Sequence, residues 1–149
     1  MSEAALDSGP VSDREHLVVF TPSGKRGRFA HGTPVLQAAR KLGVDLDSVC
    51  GGRGICGRCQ VTVALGTFPK HGLTSAHDHV SPSGAVEARY EAKRGPLKID
   101  HRLGCQAKIL GDLVVDIPPD SQVHRQLVRK DVSGGAIAID PVIRLHMVT

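Results

Sequence analysis

Apolar and polar positions recur at two spacings along this chain, and the switch between them marks its elements. His16-Leu17-Val18-Val19-Phe20 reads as a strand, Pro22-Ser23-Gly24 as a turn, and Gly27 to His31 as the returning strand. From Val35 the spacing becomes helical. Val35, Leu36, Ala39 and Leu42 share one face, with Thr33 placed as N-cap, Pro34 at the first helical position and Gly43 at the end. Gln60 to Leu65 returns to a strand pattern, and the stretch after it, to Pro82, is rich in Gly, Pro, His and Ser, as expected of a surface excursion. Ala85 to Arg94 fits a short exposed helix stopped by Gly95-Pro96. His101 to Leu110 is then expected to pair with Leu113 to Ile117 across Gly111-Asp112, a two-residue hairpin turn, with Pro118-Pro119 closing the domain.

The flanks read differently. Residues 1 to 15 are polar, net negative and without period, as in a flexible leader, and residues 16 to 120 hold the patterned domain. Residues 121 to 149 read as a linker or the start of a following domain. They run from a basic stretch, Val123 to Lys130, through a Ser133-Gly134-Gly135 break to an apolar end at Ile143, Leu145 and Met147. An apolar end of this kind predicts less order than the core, or burial by packing back or by weak self-association of an otherwise monomeric chain.

With 149 residues, 40% apolar and 23% charged, the chain suits one globular domain with some sequence to spare. Aromatic residues make up only 3%, which argues against a surface for stacked bases. The cations are scattered, fourteen Lys and Arg against nine acids over residues 16 to 120, so no nucleic-acid partner is expected. A mildly basic surface does suit docking on an acidic partner face. No apolar run reaches the roughly 20 residues of a membrane span, and the start lacks a basic segment followed by an apolar one. A cytoplasmic address without membrane contact is therefore expected, where four cysteines are metal ligands or catalytic groups rather than a disulfide framework. P-loop, dinucleotide and G-x-S-x-G patterns are missing, so hydrolase and nucleotide-binding readings have no foothold.

Cys50, Cys56 and Cys59 form C-x5-C-x2-C, and Cys105 follows after 45 further residues. Plant-type 2Fe-2S clusters use a run one residue shorter, C-x4-C-x2-C, with a distant fourth Cys. Structural zinc sites more often use two CxxC knuckles, and only Cys56 to Cys59 has that form, so a zinc-stabilised interaction module is the alternative from another class. A redox CxxC belongs at a helix start without a third Cys nearby. Gly51, Gly52, Gly54 and Gly57 let backbone N–H groups approach thiolates with no Cβ in the way. Arg53 and Arg58 either offset cluster charge or are solvated. His71, His77 and His79 lie close in sequence but lack Cys or acidic partners at ligand spacing, so no second metal site is expected. His31 and His101 are read as surface residues near strand ends.

The run Cys50-Gly51-Gly52-Arg53-Gly54-Ile55-Cys56-Gly57-Arg58-Cys59 resembles the cluster loop of 2Fe-2S ferredoxin domains. Together with Pro22 to Arg40, Leu103-Gly104-Cys105-Gln106-Ala107 and Gly111 to Pro119, it resembles the N-terminal ferredoxin domain of reductive activators of corrinoid proteins. The likeness covers roughly residues 16 to 149, and the actin-like ATPase part of that family is absent from this sequence. It implies an α+β, β-grasp fold with a mixed sheet, one main helix and a cluster-binding loop. It also implies one 2Fe-2S cluster on Cys50, Cys56, Cys59 and Cys105, the first two on the iron nearer the surface and the last two on the inner one. The chain would then be an electron carrier without catalytic residues. Its partners would be a protein electron donor and a protein acceptor, with a corrinoid protein as one candidate. A free-standing ferredoxin serving an oxygenase or another redox enzyme is the second redox reading.

Overall fold

The computed structural model describes residues 14–123. β1 (Glu15–Thr21) and β2 (Arg26–Ala30) form the opening hairpin with Val18 opposite Gly27, and β1 starts one residue earlier than the sequence pattern places it. α1 (Val35–Lys41) follows. Thr33 is not its N-cap: Pro34 holds that position with an extended backbone, and the Thr33 hydroxyl turns back to the Ala30 carbonyl at 2.7 Å. The first helical amides find distant carbonyls instead. Val35 N–H donates to Ala107 at 2.9 Å and Leu36 N–H to Gly104 at 2.9 Å, which ties the helix start to the turn that carries Cys105.

A loop of eighteen residues, 42–59, then leads to β3 (Gln60–Ala64), followed by β4 (Gly66–Phe68), β5 (Leu73–Ser75), a 3-10 turn at His77–His79, α2 (Ala85–Arg94), β6 (His101–Leu103) and β7 (Leu113–Asp116). The main sheet has the order β2-β1-β7-β3-β6. β7 runs parallel to β1 and antiparallel to β3, and β3 is antiparallel to β6. This mixed sheet with helical cover is the α+β, β-grasp arrangement. The expected hairpin between residues 101–110 and 113–117 does not form, because the backbone of residues 107–110 is engaged elsewhere. Ile109 N–H donates to Thr33, Leu110 N–H to His79, and Ala107 accepts from Val35. Asp112 meanwhile accepts the Leu17 amide at 2.8 Å, which steers β7 alongside β1.

The two-residue period of the strands divides their side chains between two faces. Val18, Phe20, Val61, Leu103, Leu113 and Val115 face α1, where they pack with Val35, Leu36, Ala38 and Ala39 in the principal core. Val19 and Val114 point the other way and meet Leu73 and Phe68. The segment after β3 is thus more than a surface excursion: the β4–β5 hairpin covers the back of the sheet.

Candidate metal centre

The loop between α1 and β3 is anchored before it reaches the first cysteine. Val44 and Leu46 enter the principal core, and Asp47 N–H donates to Ser121 at 2.8 Å. Cys59 immediately precedes β3 and is 1% exposed. Cys105 lies two residues beyond β6. Since Gln60 stands opposite Leu103, sheet register alone brings these two cysteines together across 45 residues of chain. The crossing is tight: Gly104 N–H donates to the Cys59 carbonyl at 2.8 Å, and a Cβ on Gly104 would lie 2.8 Å from that oxygen.

Cys59 and Cys105 thus meet at the β3–β6 crossing, where each thiol shifts the acidity of the other, and Cys50 and Cys56 lie on the loop that leads there. Burial alone would raise the Cys50 thiol, but the backbone amides of Ile55, Cys56 and Arg53 aim at its sulfur and bring it down to about 6. Cys105 is likewise drawn to about 6, chiefly by the hydrogen bond from Cys59. Burial opposes this shift, while the Gln106 side chain and the Gly54 amide assist it. Cys59 is pushed up, first by that same contact and then by burial. The loop therefore presents backbone dipoles to sulfur, as a group bearing bridging sulfides and thiolates requires.

α2 covers this loop. A Cβ on Gly57 would collide with the Tyr90 hydroxyl and one on Gly54 with Val86, so both glycines are demanded by close approach and both stand at positive φ. Gln106 bridges the two halves of the site, its Nε2 donating to the Gly52 carbonyl at 3.0 Å and to Cys105 Sγ at 3.5 Å. Sequence reasoning passed over Val86, Tyr90 and Gln106. The four-residue spacing of Val86 and Tyr90 on an otherwise polar helix was the available signal, and Gln106 offered none beyond its place after Cys105.

Two cysteines at the β3–β6 crossing and two on the preceding loop suit a binuclear group with two thiolates per iron. The Ser48 hydroxyl, two residues before Cys50, is buried without a partner. Of the arginines, Arg58 pairs with Asp47 at 3.2 Å and Arg53 Nε donates to the Cys50 carbonyl at 2.9 Å. Four of the described histidines make hydrogen bonds within the fold. His79 Nδ1 bonds the Asp112 carbonyl at 2.8 Å, His101 bonds Gln60 at 3.1 Å, and His31 meets His16 at 3.0 Å. His31 and His101 are half-buried.

A site and fold of this kind define a ferredoxin-type electron carrier. The chain belongs to the 2Fe-2S iron-sulfur cluster binding domain family, whose model matches residues 20–110, and its cofactor is one 2Fe-2S cluster. It is 34% identical over 92 residues to the glycine betaine monooxygenase reductase subunit of Pseudomonas aeruginosa, covering 62% of this chain and 25% of that protein. It is 33% identical over 89 residues to a component of the Na(+)-translocating NADH-quinone reductase of Idiomarina loihiensis, covering 60% of this chain and 18% of that protein. The chain thus spans about a quarter or less of the length of these relatives. Among solved structures, an ISC-like [2Fe-2S] ferredoxin from Pseudomonas putida aligns with TM-score 0.55 and 25% identity over 74% of this chain and 97% of its own. A reductive activator for a corrinoid, iron-sulfur protein aligns with TM-score 0.50 and 28% identity over 73% of this chain and 15% of its own. No helix among the described residues is long and apolar enough to cross a membrane.

Proposed function

We propose that Cys50, Cys56, Cys59 and Cys105 hold the cluster, and that the chain is the redox module of a reductive activator for a corrinoid protein. The β3–β6 register, which sets Cys59 beside Cys105 at the end of the loop that carries Cys50 and Cys56, carries the ligand assignment. Cys50 and Cys56 come from the loop and would take the iron nearer the surface, while Cys59 and Cys105 flank β3 and β6 and would take the inner one. When bound, the cluster supplies a one-electron couple. The chain's own residues fix the thiolates, aim amides at sulfur and exclude water behind Cys59. The 28% identity with the corrinoid activator supports the choice of acceptor. The 34% identity with a monooxygenase reductase subunit supports a second reading, a carrier serving an oxygenase. In both, a protein donor and a protein acceptor in the cytoplasm are the partners.

Iron, sulfide and zinc analysis with a visible absorption spectrum tests the ligand set. Cys59→Ser and Cys105→Ser should lose most of the iron and sulfide, because a serine oxygen replaces thiolate poorly on iron. Full retention in either variant, or stoichiometric zinc in place of iron, overturns the assignment. Single-turnover oxidation of the reduced protein by a Co(II) corrinoid protein, compared with an oxygenase component, separates the two acceptors.

A further inference from the structure

We propose that the cleft between the cysteine loop and α2 is a docking surface for an acidic protein partner, placed where electrons leave the chain. This rests on the carrier reading above. The cleft has a volume of about 310 Å³, and its rim carries four cations: Arg53 from the loop, and Arg89, Lys93 and Arg94 from successive turns of α2. No acidic side chain lines it. Both acids of α2 are committed elsewhere, Glu87 buried against Arg102 and Glu91 accepting the Leu97 amide at 3.2 Å. Arg58, Lys98 and Arg102 each have a carboxylate partner, whereas among the described residues Arg89, Lys93 and Arg94 form no ion pair.

Apolar surface accompanies the charge. Ile55, which lines the cleft between Cys50 and Cys56, is 52% exposed, and Val49, next to Cys50, is 70% exposed. An exposed apolar patch beside a one-sign charged rim is the usual build of a transient protein interface, where charge speeds and orients the encounter. Four cations distributed over a loop and a helix match a carboxylate-bearing face better than one small anion. The one aromatic ring that lines the cleft, Tyr90, is packed on Gly57 and leaves no platform for stacked bases.

The test uses the full chain with its cluster loaded, as wild type, as Arg89→Glu/Lys93→Glu/Arg94→Glu, and as a control, Arg26→Glu/Arg28→Glu, at the distant β2. Two probes are read at low and high salt. The first is affinity for poly-L-glutamate. The second is the rate at which the reduced protein passes one electron to hexacyanoferrate(III), giving hexacyanoferrate(II), or to hexaamminecobalt(III), giving cobalt(II). The α2 variant should bind poly-L-glutamate about tenfold more weakly and reduce hexacyanoferrate about tenfold more slowly, with hexaamminecobalt faster, and the control should change less than twofold. Equal effects in both variants, or none in either, overturn the proposal. So does tighter binding of a single-stranded oligonucleotide or of phosphatidylserine vesicles through the same three residues. The poly-L-glutamate arm needs no cluster, and the absorption spectrum is recorded throughout, so a failed ligand assignment is distinguished from a failed docking surface.

Discussion

Arg102 grips Glu87 by both carboxylate oxygens, Nε to Oε1 at 2.9 Å and Nη2 to Oε2 at 2.8 Å, and Glu87 is 1% exposed. The same carboxylate accepts the Leu103 amide at 3.0 Å, and Arg102 Nη1 donates to the Ser81 carbonyl at 2.6 Å. One buried ion pair therefore fastens α2, the cover of the cysteine loop, onto β6, the strand that leads to Cys105. Its contribution is geometric as much as energetic, since a well-packed apolar pair can match a buried ion pair in stability.

Removing only the cation should be severe. Arg102→Leu leaves Glu87 buried without its partner and is expected to destabilise the fold by about 3 kcal/mol, read by urea unfolding at neutral pH. Burial raises the Glu87 carboxyl, but the Arg102 hydrogen bonds and charge and the Leu103 and Gly84 amides more than offset this and hold it below the ordinary carboxylate value. A depressed folded-state value means the stabilisation is present above the ordinary carboxylate range and is lost as pH falls through the folded one. The gap between wild type and Arg102→Leu should therefore narrow on acidification. A constant gap from pH 7 to pH 3 would contradict this account.

A second titration lies at the other end of the sheet. His16 Nε2 and His31 Nδ1 are 3.0 Å apart, and the His16 value is lowered, first by burial and then by His31, with Asp112 opposing and His79 and Arg14 adding to the effect. The folded chain resists a proton that the unfolded chain accepts, so this contribution to stability is complete above the ordinary histidine value and declines as pH falls below it. His31→Gln should flatten the melting-temperature profile between pH 7.5 and 5. NMR titration of His16 should move upward in that variant, and an unchanged titration would show that the two rings do not interact.

Close packing of α2 on the loop makes two glycines irreplaceable for different degrees of repair. Gly57→Ala and Gly54→Ala each place a Cβ at positive φ, a strain of about 1–2 kcal/mol before any contact is counted. Gly54→Ala also meets Val86. Adding Val86→Ala should recover the part due to the collision and leave the backbone part, so the double variant should melt between Gly54→Ala and wild type. Full recovery would show that φ at residue 54 costs nothing.

Features that depend on local spacing were legible in the chain, and features that depend on which distant backbone claims a hydrogen bond were not. The opening hairpin, the bounds of α2 and the Cys50-Cys56-Cys59 run are local: each follows from alternation, from Gly95-Pro96, or from a span of ten residues. The failures have two causes, distant partners and short elements. Gly111-Asp112 has the composition of a two-residue turn, yet Gly111 is small because the His79 ring occupies the space a Cβ would need, and Asp112 serves Leu17 across the sheet. β4 and β5 were hidden because three residues each are too few to show a period. Their purpose, shielding Val19 and Val114, is visible only once the sheet has two faces. Residues 124–149 of the tail expected to be less ordered or self-associating, including Ile143, Leu145 and Met147, lie outside the described residues, as does the leader before Arg14.

Loss of the metal should be felt by the whole domain. Cys59 and Cys105 join β3 to β6, and Cys50 and Cys56 would tie the intervening loop to them, so cluster ligation closes loops in the unfolded chain and adds binding free energy to the folded one. Protein stripped of iron should melt well below the loaded form in differential scanning calorimetry. Coincident melting temperatures would show that the site is incidental to the fold.

Gln106 offers the finest control over the redox couple. Its Nε2 reaches Cys105 Sγ at 3.5 Å while donating to the Gly52 carbonyl at 3.0 Å, so one amide both positions the loop and places a dipole on a candidate ligand. A hydrogen bond to ligand sulfur stabilises the reduced, more negative state, and its removal should lower the potential. Gln106→Leu is therefore expected to shift the midpoint downward, and Gln106→Glu, which turns a carboxylate toward the same sulfur, should shift it further. Loss of one hydrogen bond costs about 1 kcal/mol of stability, so both variants should still fold and load iron. Spectroelectrochemical titration with iron analysis on the same samples decides the matter. The order wild type, Gln106→Leu, Gln106→Glu at equal iron content supports a tuning donor, whereas unchanged midpoints with a lowered melting temperature would reduce Gln106 to a strut between the loop and Cys105.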